Sequence, residues 1–95
     1  MNQVQNMNLE QRLYTVIAEF IEDWGLDVVI TLDTRLVEDL EFDSIDVIQL
    51  VVAIESAFRT RNLGFQDLLM QSGRYVDDLS IGEIKAFLAS RLPRT

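Results

Sequence analysis

Ser44 stands between two carboxylates in Asp43-Ser44-Ile45-Asp46, where a nucleophilic oxygen and titratable groups fall within a single turn. A hydroxyl becomes a hydrolytic nucleophile only when a base takes its proton. The sequence contains no His, and its one Lys, Lys85, belongs to a different predicted helix. Cys is absent too, which excludes disulfides, thiolate metal sites and a protein thiol nucleophile together. A catalytic triad at Ser44 therefore lacks its base. The surrounding acids also fail as a calcium loop: counting from Asp39, the sixth position is Ser44 where Gly is required, and the twelfth is Leu50 where Glu is required. No catalytic residue and no metal-ligand set is assigned. Taken alone, the four residues also make an ordinary helix start, with Asp43 as cap, Ser44 exposed at the first position and Asp46 satisfying the third.

The chain of 95 residues is one small domain, with eight Lys+Arg against sixteen Asp+Glu and a net charge of −8. That charge argues against nucleic acid and anionic membrane surfaces as partners, since both are held through phosphate contacts. Hydrophobic residues at 48% separate it from disordered chains. Residues 1–8 are polar and form an expected flexible N-terminus without signal-peptide character, and no segment approaches the ~18 apolar residues of a membrane span. The expected location is the cytoplasm, with no membrane insertion.

The elements that must position Ser44 read as an all-α, four-helix bundle occupying residues 9–92. Leu9, Leu13, Val16, Ile17, Phe20, Ile21 and Trp24 recur at helical spacing, and Asn8 with Gln11 makes a capping box, predicting a helix over 9–24 with Gly25 at its left-handed end. Residues 26–43 lose the period and read as a long packed loop, pinned by Leu32, Leu36, Val37 and Leu40, with a helical turn around 36–40. A second helix over 44–60 points Val47, Leu50, Val51, Ile54, Ala57 and Phe58 into one arc of about 120°. A short apolar helix over 65–71 ends at the turn signal Ser72-Gly73, and Ser80 with Glu83 opens a last helix carrying Ile81, Ile84, Phe87, Leu88 and Leu92, stopped by Pro93. Trp24, Tyr75 and Met70 read as core residues.

The second helix is apolar on two faces. Ile45, Ile48 and Val52 lie within about 60° of one another, nearly opposite the core arc and on the side of Ser44 and Glu55. This stripe either packs under residues 65–79 or stays exposed as a docking patch. Between Asp33 and Asp46 there are six carboxylates and one cation, Arg35, a surface suited to steering basic partners.

The window Leu36 to Phe58 resembles the acyl carrier protein family, through Glu38-Asp39-Leu40, then Asp43-Ser44-Ile45-Asp46, then Glu55-Ser56-Ala57-Phe58 at the family's spacing. The resemblance extends loosely over the chain from Asn8, in the order of helix, long loop and final helix. It implies a non-enzymatic carrier whose Ser44, beside Asp43, is the attachment point of 4′-phosphopantetheine. The arm would come from coenzyme A through a separate Mg²⁺-dependent phosphopantetheinyl transferase of the holo-carrier synthase type. It further implies acyl thioesters presented to acyl-transferring or condensing enzymes of fatty-acid, lipid or polyketide-type biosynthesis, with basic patches meeting a partner face of Glu41, Ile45, Asp46, Ile48, Val52 and Glu55. An acyl-chain pocket is expected among Ile54, Phe58, Leu68 and Ile84. Absence of Cys agrees with this reading, because the thiol of such a carrier arrives with the arm.

Departures from the family pattern are Glu41 where Gly is usual, Ile45 for Leu, Gln49 for an acid, and the segment Arg59 to Leu79 with three arginines. They point to a specialised carrier. Two rival readings are a peptidyl or aminoacyl-type carrier, disfavoured by Glu41-Phe42 ahead of Asp43-Ser44, and a helical adaptor without a prosthetic group that binds partners through the Ile45/Ile48/Val52 face.

Overall fold

Three helices open with the same reciprocal device, because Asn, Asp or Ser at the cap and Gln, Asp or Glu three residues on satisfy each other's free N–H groups. In the computed structural model, which describes residues 8–26 and 28–92, α1 (Leu9–Phe20) starts with Asn8 and Gln11, α2 (Ser44–Ala57) with Asp43 and Asp46, and α4 (Ile81–Arg91) with Ser80 and Glu83. Between α2 and α4 lie the one-turn α3 (Gln66–Leu69) and an antiparallel hairpin of β1 (Met70–Gln71) and β2 (Arg74–Tyr75). The fold is helical with a small two-stranded sheet. Of the flexible N-terminus expected over residues 1–8, residues 1–7 lie outside the described residues, as does the Pro93 stop, while Asn8 is ordered as the cap of α1.

The helices surround one apolar cluster. Leu13 and Ile17 of α1, Leu50 and Ile54 of α2, and Ile81, Ile84, Phe87 and Leu88 of α4 are buried, with Leu36, Leu40 and Phe42 of the long loop among them. The loop is held by backbone bonds as well as by its leucines. Leu36 N–H donates to Leu79 C=O (2.9 Å), while Ile81 and Gly82 N–H donate to Thr34 and Leu32 C=O (2.9 and 2.8 Å), filling orphan donors of α4's first turn. A Cβ on Gly82 would sit 3.1 Å from the Leu32 carbonyl oxygen, so the side chain's absence permits this close seam.

Several boundaries differ from those read in the sequence, each for a local reason. The first α-helix ends at Phe20, not 24: Glu22–Trp24 tightens into a 3₁₀ turn before Gly25 at φ +71°. The second ends at Ala57, not 60, because Arg59 turns left-handed (φ +55°) and closes a Schellman motif, with Thr60 N–H to Glu55 C=O at 2.9 Å and Arg59 N–H to Ser56 C=O at 3.1 Å. Ala57 faces water, as does Val37 at 41% exposure, whereas Leu36 and Leu40 carry the pinning. The helix expected to reach Gln71 stops after one turn because Ser72 (φ +54°) and Gly73 (φ +79°) supply the paired positive φ of a tight hairpin turn. Met70 then pairs with Tyr75 and Gln71 with Arg74. Trp24 and Tyr75 are not core residues, being 38% and 69% exposed; Trp24 instead covers Phe20 and Phe42 at ring-centroid distances of 5.7 and 5.0 Å.

Candidate functional site

Ser44 is the first residue of α2 and is exposed. Its two acidic neighbours are engaged with backbone: Asp43 Oδ1 accepts from Asp46 N–H (2.9 Å) and Asp46 Oδ2 accepts from Asp43 N–H (3.1 Å). Neither bond uses the Ser44 hydroxyl, which has no hydrogen-bond partner among the described residues. The sequence therefore builds a rigid helix start from Asp43 and Asp46 and leaves an outward hydroxyl between them.

That hydroxyl lies at the edge of an apolar groove of about 410 Å³, within the usual size of small-molecule sites. The α2 side contributes Val47 and Ile48, the loop contributes Leu36 and Phe42, and the hairpin side contributes Leu69, Tyr75 and Val76. Asp78 and Leu79 complete it. A second groove of about 480 Å³ runs along α2 past Val51, Val52 and Glu55 toward Asn62 and Phe65. Of the four residues expected to form an acyl pocket, Ile54, Leu68 and Ile84 line an internal void of only about 10 Å³, and Phe58 lies away from it under the Arg12 guanidinium, 4.2 Å from the ring centroid. In this structure the larger open space lies on the surface beside Ser44.

Ile45, Ile48 and Val52 are 63%, 53% and 60% exposed, so residues 65–79 do not cover the second stripe of α2. The acids on this side differ in what they hold. Glu55 accepts from Leu63 N–H (3.3 Å) and helps fold the loop after α2, Asp46 belongs to the cap, and Glu41 stands exposed on a backbone with φ +60°.

Asp78 is a groove residue that sequence reasoning missed. Its Oδ1 accepts from Val37 and Leu79 N–H (2.8 Å each) and its Oδ2 from Glu38 N–H (3.0 Å), tying the loop to the start of α4. Burial raises its pKa, but those three N–H donors together with the charge of Arg35 outweigh burial and hold the carboxyl below its ordinary value. Tyr75 and Val76 were missed as groove residues as well. Their sequence signal was the Ser72-Gly73 turn flanked by Met70-Gln71 and Arg74-Tyr75, a short hairpin pattern.

Comparison with known proteins gives two findings. The family described as "Phosphopantetheine attachment site" matches residues 11–72, a span containing α1, the long loop, Ser44 and all of α2. An acyl carrier protein of Onion yellows phytoplasma (strain OY-M) is 40% identical over 50 residues, covering 53% of this chain and 62% of that relative. The chain thus spans about three-fifths of the length of this curated relative. No solved structure matches significantly. The hairpin strand β2, Val76, Asp78 and α4 lie beyond the family match.

Proposed function

Because the chain belongs to the phosphopantetheine attachment family, we propose that Ser44 carries the arm and that residues 9–92 act as an acyl carrier for enzymes of fatty-acid, lipid or polyketide-type synthesis. Its covalent cofactor is 4′-phosphopantetheine, which when bound supplies the thiol that holds acyl groups as thioesters. The observation that carries the assignment to Ser44 is its exposed hydroxyl at the first position of α2, between capping carboxylates and without a hydrogen-bond partner among the described residues.

In the loading step a transferase acts on this hydroxyl. Ser44 Oγ bonds to the phosphorus that joins pantetheine to the nucleotide in coenzyme A, the pyrophosphate bond breaks, adenosine 3′,5′-bisphosphate leaves, and the serine proton passes to the transferase. Asp43 and Asp46 keep the helix start rigid while this happens. The N-terminal dipole of α2 favours the resulting phosphodiester, and the two carboxylates oppose it, so no preformed phosphate nest is invoked. Ile45, Ile48 and Val52 give partner enzymes an apolar docking stripe, and the acids around Ser44 steer basic patches toward it. The chain itself catalyses no step of this cycle.

Intact mass after incubation with coenzyme A, Mg²⁺ and a broad-specificity phosphopantetheinyl transferase tests the assignment. One phosphopantetheine should add to the parent and none to Ser44→Ala, whose fold should be unchanged. A folded parent that gains nothing with two unrelated transferases would overturn the role of Ser44 and favour an adaptor acting through the exposed α2 stripe, whose binding Ile48→Glu would abolish.

A further inference from the structure

We infer that Tyr75 divides the apolar surface beside Ser44 into two grooves and so limits the length of acyl chain the protein shelters, an inference that rests on Ser44 carrying the arm. The groove bordered by Ser44 and the groove running along α2 have three lining residues in common, Ile48, Leu69 and Tyr75, and these form the boundary between them. Ile48 is fixed on α2, and Leu69 is half-buried at the end of α3. Tyr75 is different in kind. It sits on a two-residue strand, 69% exposed, at the point where a chain leaving the first groove would enter the second. A tyrosine suits this position because its ring offers an apolar wall on both sides while its hydroxyl stays in water.

Tyr75 stands on the second strand of the hairpin, beyond the residues 11–72 matched by the family, while the first strand lies within them. Its placement follows from the Ser72-Gly73 turn, which sets the register that puts Tyr75 opposite Met70. With the ring present, the space next to Ser44 is about 410 Å³; removing the ring would open the way to the second groove between Ile48 and Leu69. An acyl chain tethered at Ser44 fills the first groove and then meets the ring.

The test loads the protein from butyryl-, octanoyl-, dodecanoyl- and hexadecanoyl-coenzyme A with the same transferase, for the parent, Tyr75→Phe and Tyr75→Ala, and reads the thioester hydrolysis rate and thermal midpoint of each product. In the parent, protection should rise with chain length and then level off before hexadecanoyl. Tyr75→Phe should match it, since ring volume is what divides the grooves. Tyr75→Ala should lose the plateau, each further methylene taken in favouring the sheltered form roughly fourfold. Tyr75→Trp, with a larger ring, should bring the plateau to shorter chains. Identical length profiles for all loaded variants would overturn the inference while leaving Ser44's role intact; absence of any mass gain at Ser44 would overturn both.

Discussion

Glu41 holds a left-handed backbone (φ +60°) two residues ahead of the Asp43 cap. The turn requires it: Glu41 N–H reaches Val37 C=O at 3.0 Å and Phe42 N–H reaches Leu36 C=O at 2.9 Å, closing the loop so that buried Phe42 lies below Ser44's groove. An L-residue pays about 1–2 kcal/mol for this conformation, and the extra freedom of an unfolded glycine returns only part of that. Glu41→Gly should therefore stabilise the protein by about 0.5–1 kcal/mol, read as a higher denaturation midpoint with unchanged slope. An equal or lower midpoint would show that the Glu41 carboxylate earns back the strain through a contact of its own. Arm loading at Ser44 should survive the change, because the Asp43–Asp46 cap does not depend on Glu41.

At the scale of elements, what could be read from the sequence was whatever four or five neighbouring residues decide. All three capping boxes, the stripes of α1, α2 and α4, the outward Ser44 and the existence of a second apolar face at Ile45, Ile48 and Val52 follow from local spacing, whereas its exposure does not. What escaped was set by distant partners. Trp24 covers Phe42 from across the loop, Tyr75 is placed by hairpin register, and the groove beside Ser44 is formed by α2, the long loop and the hairpin together. The segment after α2 was hardest, since its order comes from side chains elsewhere. Arg91 in the last turn of α4 donates to Leu63 C=O (2.8 Å) and Asp67 Oδ2 (2.8 Å), and its guanidinium lies 4.6 Å from the Phe87 ring centroid. Arg91→Met keeps the apolar stem but removes both donors, so it should cost about 1–2 kcal/mol. Hydrogen exchange should quicken first at Leu63 to Leu69, leaving α1 protected; uniform loss of protection would mean that α3 and α4 unfold together with the rest.

Over the whole molecule, the charge of −8 sets stability and partner capture against each other. On the proposed function the acids gathered around Ser44 would steer basic partners, and the same acids repel one another in the folded state. With no His and no Cys, no side chain has an ordinary pKa between about 5 and 8.5. Tyr14, raised by burial and then by its hydrogen bond to Glu10, stays neutral well beyond that range. Stability should hence be nearly flat from about pH 6 to 8.5. Below that range Asp78 sets a downward trend. Its folded pKa lies below its unfolded value, so its contribution is fully present above about pH 4 and drains as pH falls through the folded value. Asp78→Asn forfeits the charge and one acceptor of the three-donor clamp, which should cost about 1–3 kcal/mol at pH 7. Thermal midpoints of parent and variant should then converge as pH drops below about 4, because the parent loses there what the variant never had. A gap that stays constant across that range would place the stabilisation in packing around residue 78 instead of in its charge. Adding about 0.5 M salt at pH 7 should raise both midpoints by screening the net charge while weakening partner association, so stability and docking should move in opposite directions.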